Sequence, residues 1–166
     1  MATITFKGNQ VTTFGELPKI GDDAPNFRLT GTDLSSRSLN DYLGHNLILN
    51  IFPSVDTGVC AQSVRTFNER ASQLENTKVL CISKDLPFAF SRFCAAEGID
   101  NVESLSDFKD GNFGKNYGLT FVDGPLEGLH SRCVVVLNDK AEVVYTEQVP
   151  EISEEQNYDA ALQSIS

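Results

Sequence analysis

Apolar and polar residues follow two different patterns along the chain, and the changes between them mark its elements. Residues 3–14 alternate around a Gly-Asn pair, which predicts a β-hairpin. Residues 46–52 and 78–83 are continuous apolar runs, typical of strands that are buried on both faces. Between them, residues 58–75 place apolar side chains at helical spacing. This pattern predicts two parallel strands that are joined by a helix.

The rest of the chain continues the alternation of strands and helices. Further predicted elements are a helical turn over 39–43, strands near 27–29 and 101–105, helices over 87–98 and near 107–117, a hairpin formed by SRCVVVL and AEVVYTEQV, and a closing helix in NYDAALQSI. This order predicts an α/β fold with a central mixed sheet flanked by helices. It fits a thioredoxin-like fold with an added N-terminal β-hairpin, in one domain over residues 1–166.

Composition and charge limit the classes of function. The 166 residues are enough for one domain with its own core. Thirteen basic and 23 acidic residues give a net charge of −10, which argues against binding to nucleic acid or to anionic membrane surfaces. No apolar run approaches the roughly 20 residues of a membrane span. The first residues, MATITFKGNQ, contain no stretch typical of a signal peptide, so we expect a cytoplasmic protein.

The chain contains four cysteines, Cys60, Cys81, Cys94 and Cys133. Thiols in the cytoplasm are usually reduced, which argues against a structural disulfide framework. The gaps of 21, 13 and 39 residues between the cysteines lack the close pairs of zinc sites. No metal, flavin or haem motif occurs either, so we expect no cofactor.

Cys60 follows the point where a predicted strand gives way to a helix. Pro53 ends the strand because it cannot donate to the ladder, and Asp56 and Thr57 are both suited to cap the helix. Cys60 then falls in the first turn, where unpaired backbone N–H groups and the helix dipole favour a thiolate. Free cysteines are often merely buried, however. Position alone therefore leaves both a reactive thiol and a packing residue open.

The stretch PSVDTGVCAQSVRTFN resembles the active-site motif Pro-x-x-x-Thr-x-x-Cys of the thiol peroxidase branch of the peroxiredoxins. The segment LCISKDLPFAFSRFCAAEG resembles the second-cysteine segment of that branch, and DGPLEGLHSRCVVVL resembles its arginine strand. With TFKGN near the start, the resemblance covers nearly the whole chain. It implies a thioredoxin-like fold and a thiol-dependent peroxidase of the atypical two-cysteine type.

The resemblance implies roles for five residues. Cys60 corresponds to the peroxidatic cysteine, whose thiolate attacks the peroxide and becomes a sulfenic acid. Thr57 would orient the peroxide, and Pro53 would shield the thiolate from water. Arg132 would donate to sulfur and peroxide, and its permanent charge suits both tasks. Cys94 corresponds to a resolving cysteine that forms an intramolecular disulfide with Cys60.

A disulfide requires Cα atoms about 4.4–6.8 Å apart, and two cysteines in separate helices seldom start that close. We therefore expect the helices around Cys60 and Cys94 to unwind locally during turnover. Gly58 and Gly98 are placed to ease this unwinding, although helix capping also explains them.

Three other residues are expected to serve packing or structure. Cys81 lies in the middle of a buried strand. Cys133 should face away from Cys60 if Arg132 faces towards it, because strand side chains alternate. Arg65 lies five residues beyond Cys60 and so off its helix face.

Two other function classes share the predicted fold. A thioredoxin-like disulfide oxidoreductase usually carries Cys-x-x-Cys, whereas Thr57 stands three residues before Cys60. A non-catalytic thioredoxin-fold module would need no threonine, cysteine and arginine that match one active-site pattern. The resemblance further implies hydrogen peroxide and organic hydroperoxides, alkyl or lipid, as substrates. It also implies a thioredoxin-type reductant and a homodimer.

Overall fold

A computed structural model describes residues 1–165. The strands are β1 (Thr3–Phe6), β2 (Asn9–Thr12), β3 (Arg28–Gly31), β4 (Ser36–Ser38), β5 (Asn46–Ile51), β6 (Thr77–Ser83), β7 (Glu103–Ser106), β8 (Cys133–Leu137) and β9 (Val143–Gln148). The helices are α1 (Gly58–Ala71), α2 (Pro87–Glu97), α3 (Asn112–Asn116) and α4 (Tyr158–Gln163), with a 3-10 turn at Leu39–Tyr42. Within residues 1–165, no helix is long and apolar enough to cross a membrane.

Seven strands form the central sheet in the order β4-β3-β7-β6-β5-β8-β9. The three middle strands β7, β6 and β5 pair in parallel, while the outer strands pair antiparallel with their neighbours. Helix α1 connects the parallel strands β5 and β6, as the sequence predicts. The mixed sheet, its flanking helices and the separate two-stranded sheet of β1 and β2 confirm the predicted thioredoxin-like fold with an added hairpin.

The central strand β5 is buried on both faces because alternate side chains enter two hydrophobic clusters. Leu47, Leu49 and Ile51 belong to the cluster that includes side chains of α3 and the 3-10 turn. Ile48 and Phe52 belong to the cluster under α1, α2 and α4. A strand in such a position has no solvent-exposed face, which explains why its sequence is apolar apart from Asn46 at its start and the buried Asn50.

The N-terminal hairpin turns at Lys7 and Gly8, one residue before the expected Gly-Asn pair. Both turn residues have positive φ, 51° and 80°, as a two-residue hairpin turn requires. The hairpin buries Ile4 and Val11 against Ile152, in a third cluster outside the central sheet. It is thereby packed beside the segment that follows β9.

Three elements differ from the expectation. Helix α1 ends at Ala71 rather than near residue 75, and α3 covers Asn112–Asn116 rather than 107–117. Asp107 cannot begin that helix because its carboxylate accepts two main-chain N–H groups of α3 itself. Strand β4, Ser36–Ser38, carries no apolar signal, since it lies at the edge of the sheet and is polar.

Candidate active site

The connection from β5 to α1 carries three of the predicted site residues, Pro53, Thr57 and Cys60. Thr57 is the N-cap residue of α1, with extended backbone angles of −97° and 147°, but its side chain makes no capping bond. Its hydroxyl instead donates to the Ser54 carbonyl at 3.1 Å. The hydroxyl hydrogen is thus used, and the Thr57 oxygen keeps its capacity to accept a hydrogen bond.

Cys60 and Arg132 are in direct contact. Cys60 has 0% exposure, and its Sγ accepts a hydrogen bond from Arg132 Nη2 at 3.2 Å. Arg132 lies just before β8 and is 2% exposed. Its Nε donates to the Ile152 carbonyl at 3.1 Å, while its Nη1 has no hydrogen-bond partner among residues 1–165. The guanidinium therefore holds the sulfur with one nitrogen and offers a further donor.

The charge of Arg132 favours an anion at the same place. None of the ion pairs among the described residues includes Arg132. A buried cation without a counter-charge is costly. Because the Cys60 sulfur is in contact with this guanidinium, Arg132 is placed to stabilise negative charge that develops on the sulfur.

A cavity of about 300 Å³ is lined by Pro53, Thr57 and Arg132, and it adjoins Cys60 through the Arg132 side chain rather than through a wall formed by Cys60 itself. Its other walls are mainly apolar, with side chains from the hairpin, α1 and two later loops: Phe6, Val59, Leu126, Leu129 and Ile152. The sequence motifs did not reveal these walls, because apolar residues in loops carry no signal that distinguishes a cavity wall from core. The structure brings four of the five predicted residues together here.

The main chain around Cys60 is also held from the inside of the fold. The Ser63 hydroxyl donates to the Cys60 carbonyl at 2.7 Å, and Asn50 Nδ2 donates to the Ser63 oxygen at 3.1 Å. Gln156 Nε2 in turn donates to Asn50 Oδ1 at 2.7 Å. All three polar side chains are buried. A buried network of this kind rigidifies the turn to which it is bonded.

Asp85 anchors the outer side of the same connection. Its carboxylate accepts hydrogen bonds from the Ser54 hydroxyl and the Val55 N–H, both at 2.7 Å, and from the Ser83 hydroxyl at 2.5 Å. No sequence motif marks this residue. The available signal was an acidic residue directly after a buried strand, which by itself is typical of any loop.

Cys94, the predicted resolving cysteine, lies in α2 on the same face of the sheet as Cys60. It is half-buried and packs against the cluster that contains Cys60. Its Sγ contacts the Ser104 hydroxyl at 3.7 Å. Burial raises the pKa of the Cys94 thiol, and the Ser104 hydrogen bond partly opposes this. Both cysteines are free thiols, so the structure places them in one cluster but not in a disulfide.

Two exposed ion pairs link α2 to the elements that carry Cys60. Arg92 pairs with Asp56 at 2.8 Å, just before α1, and Glu97 pairs with Arg65 of α1 at 2.7 Å. Arg65 thus makes a structural contact, as expected. Helix α2 ends at Gly98, whose positive φ of 65° caps the helix in the left-handed region.

Cys81 and Cys133 are fully buried, as predicted. Burial raises the pKa of each thiol to about 12. Cys133 belongs to the cluster on the opposite face of the sheet from Cys60, which agrees with the expected alternation. Among residues 1–165, no group of three or more histidine, cysteine, aspartate or glutamate side chains is arranged to hold a metal ion.

Comparisons with known proteins agree with this geometry. The sequence model of the Redoxin family matches residues 19–162. A thiol peroxidase of Corynebacterium glutamicum is 54% identical over 166 residues, which is 100% of both chains. A thiol peroxidase of Mycobacterium tuberculosis is 55% identical over 165 residues, or 99% of both chains.

Solved structures show the same fold. A peroxiredoxin-like protein from Aquifex aeolicus superposes with a TM-score of 0.93 at 36% identity, covering 98% of this chain and 95% of that protein. A thiol peroxidase from Chromobacterium violaceum, 22% identical, has the same fold with a TM-score of 0.88 and covers 96% and 93% of the two chains. With its Redoxin match and its full-length identity to thiol peroxidases, the chain belongs to the Redoxin family, in the thiol peroxidase branch of the peroxiredoxins.

Proposed function

We propose that Cys60 is the peroxide-attacking thiol of this thiol-specific peroxidase. Its thiolate attacks the terminal oxygen of a hydroperoxide, and an S–O bond forms as the O–O bond breaks. The hydroxide or alkoxide that leaves takes up one proton, equivalent to the one lost when the thiol ionised, and departs as water or an alcohol. Cys60 becomes a sulfenic acid. The observation that carries this proposal is the 3.2 Å contact between Arg132 and the Cys60 sulfur, with the second guanidinium nitrogen unpaired beside it. That donor is suited to the charge that develops on the leaving oxygen.

Thr57 and Pro53 complete the proposed site. The Thr57 oxygen would accept the hydrogen bond of the peroxide O–H, since its own hydrogen is donated to the Ser54 carbonyl. Pro53 lines the same cavity and has no N–H group, so it covers the sulfur without offering a competing donor. The apolar walls of the cavity favour organic hydroperoxides, alkyl or lipid, in addition to hydrogen peroxide.

Cys94 is proposed to resolve the sulfenic acid. Its thiol condenses with Cys60, water is lost, and an intramolecular disulfide forms. A thioredoxin-type dithiol then reduces this bond, as the family implies. Because the two cysteines start in separate helices, the first turn of α1 and part of α2 must unwind before the sulfur atoms can meet.

Mass spectrometry after one equivalent of hydroperoxide, without reductant, tests this cycle. We expect one Cys60–Cys94 disulfide within a single chain. A Cys94→Ser variant should accumulate sulfenic acid on Cys60 and over-oxidise with excess peroxide. Cys133→Ser, the matched control, should form the same disulfide as the unmodified chain. A Cys60–Cys133 bond, or a bond between two chains, would refute the assignment of Cys94.

We further propose that the whole chain is one domain and that it acts as a homodimer in the cytoplasm. Three large apolar side chains are exposed after β6 and β7 in chain order: Leu86 just before α2, Phe88 in its first turn, and Phe108 after β7. A second copy of the chain would cover them. Light scattering after size exclusion should give twice the chain mass, and a Phe88→Glu variant should shift the protein towards the monomer. An unmodified protein that is monomeric at micromolar concentration would contradict this.

A further inference from the structure

Asp85 joins two connections that the peroxidase cycle uses in different ways. It lies between β6 and α2, the helix that carries Cys94. Its carboxylate reaches across to the connection before α1, where it accepts the Ser54 hydroxyl and the Val55 N–H, both at 2.7 Å. Among residues 1–165, no basic side chain forms an ion pair with it. Asp85 therefore serves as a hydrogen-bond acceptor at a fixed position and not as one half of an ion pair.

The bonds of Asp85 lead directly to the Thr57 hydroxyl. Ser54 donates its hydroxyl hydrogen to Asp85 Oδ1, and the Ser54 hydroxyl oxygen accepts the Asp56 N–H at 3.1 Å. The carbonyl of Ser54 accepts the Thr57 hydroxyl at 3.1 Å. The position of Ser54 thus determines which way the Thr57 hydrogen points, and which way its lone pairs face. If Ser54 were free to move, the Thr57 hydroxyl could rotate, and its oxygen would no longer face the proposed peroxide position as an acceptor.

A second set of bonds ties Asp85 to the ends of β6 and β7, just before α2. Its N–H donates to the Ser83 hydroxyl at 3.0 Å, and its carbonyl accepts the Ser106 hydroxyl. Helix α2 begins at Pro87, two residues later. The residue that holds the peroxide-binding connection is therefore also a fixed point next to the helix that has to loosen.

We infer that Asp85 is a positioning residue for peroxide attack, acting through Ser54 on the Thr57 hydroxyl, and that it restrains the start of α2 as well. This inference rests on the proposed roles of Cys60, Thr57 and Cys94. The proposed role of Asp85 predicts a result that a general loss of fold stability would not give. Loss of the carboxylate slows attack on peroxide, whereas it does not slow the formation of the Cys60–Cys94 disulfide and can accelerate it.

Single-turnover kinetics separate these two steps. In a Cys94→Ser background, sulfenic acid formation at Cys60 is followed by rapid quenching, trapping and mass spectrometry. With Cys94 present, disulfide formation is followed at peroxide concentrations high enough that its rate no longer depends on peroxide. We expect Asp85→Ala to slow attack about tenfold or more, the effect of losing charge-assisted hydrogen bonds. Disulfide formation should stay equal or become faster.

Two further variants keep the test independent of folding. Asp85→Asn retains one acceptor oxygen and should show a smaller attack defect than Asp85→Ala. Ser54→Ala removes the side-chain bond from Ser54 to Asp85 but keeps the Val55 N–H bond, so it should reproduce part of the attack defect with Asp85 intact. Asp139→Asn, an exposed aspartate in the β8–β9 turn, is the matched control and should leave both steps unchanged.

The outcomes distinguish the inference from the function on which it rests. If Cys60→Ser abolishes peroxidase activity while Asp85→Ala and Ser54→Ala attack peroxide at the normal rate, the inference about Asp85 is wrong and the proposed function stands. If both steps slow equally in the Asp85 variants, Asp85 is only structural and the inference is again overturned. If Cys60→Ser retains full activity, the proposed function itself fails.

Discussion

The surroundings of Cys60 and Cys94 differ, although the two cysteines share one face of the sheet. Cys60 is completely buried, and its sulfur accepts a hydrogen bond from a buried arginine. Cys94 is half-buried, and the contact of its sulfur with Ser104 is long, at 3.7 Å. The helix of Cys94 is joined to the Cys60 region by two ion pairs that are exposed to solvent. One cysteine is held in place, and the other is held loosely.

This difference matches what each step of the proposed cycle requires. Stabilisation of charge in peroxide attack depends on donors that are already in position before the reaction. Disulfide formation depends on local opening, which costs least where contacts are few and exposed. Exposed ion pairs contribute only about 0.2–1 kcal/mol each. The polar contacts that fix a cysteine in advance are therefore concentrated at Cys60, whereas the ion pairs that join α2 to the Cys60 region are exposed.

Arg132→Met should have the largest effect on the Cys60 side. The guanidinium contacts the sulfur and offers the further donor, and removal of one such donor typically costs about 100- to 1000-fold in rate. Arg132→Lys should recover only part of this loss, because an ammonium cannot reproduce the planar fork that also bonds the Ile152 carbonyl. The second-order rate constant with hydroperoxide measures both. If the rate constant of Arg132→Met stayed within a few-fold of the normal value, Arg132 would have no role in the proposed mechanism.

The rate of disulfide formation should rise with pH, by about tenfold per unit, as the Cys94 thiol ionises. Burial raises the pKa of Cys94 above its ordinary value of 9.0 in the folded helix. The unwound segment releases its proton at lower pH than the folded one, so alkaline pH favours unwinding as well as ionisation. The rise should therefore continue through pH 9. Single-turnover rates at saturating peroxide test this, and a plateau well below pH 9 would show that Cys94 is not restrained by burial.

Thr57→Val should slow attack by about 10- to 100-fold, because a hydrogen bond to a charged or reacting group is worth about 1.5–3 kcal/mol. Thr57→Ser, the matched control, keeps the hydroxyl and its bond to the Ser54 carbonyl and should stay within a few-fold of normal. Disulfide formation should change little in either variant. Equal rates for valine and serine would mean that Thr57 serves only as the first residue of α1.

The smallest effect is expected at the Arg65–Glu97 pair on the Cys94 side. Arg65→Gln and Glu97→Gln should each accelerate disulfide formation by less than about fivefold, the range of an exposed pair. The double variant should show no more than the larger single effect, and added salt should abolish the difference. Rates of peroxide attack are the internal control and should not change. Slower disulfide formation would contradict the view that this pair restrains α2.

Three kinds of site feature differ in how far the sequence could predict them. Pro53, Thr57 and Cys60 share one short connection, so a single motif contains them all. Arg132 and Cys94 were predicted only because separate stretches resembled one family. Asp85 and the cavity walls were not predicted, because neither a lone loop carboxylate nor an apolar loop residue has a pattern of its own. Helix α3 is shorter than the helix expected over 107–117. The Asp107 carboxylate accepts main-chain N–H groups of α3, so Asp107 itself lies outside the helix.

Resemblance to one family supplied the residues of the proposed cycle, whereas the amino-acid pattern alone was enough to predict the order of the elements and the strand-to-helix junction at Cys60. These features depend on short-range causes: apolar periodicity, the lost donor of proline and the positions that cap helices. Only the tertiary structure decided which groups meet across the chain. Arg132 reaches the Cys60 sulfur across 72 residues, and Asp85 reaches Ser54 across 31. Residues so far apart in the chain come into contact only when the strands have paired and the loops have packed. Their contacts therefore depend on the whole fold and not on any local stretch of sequence.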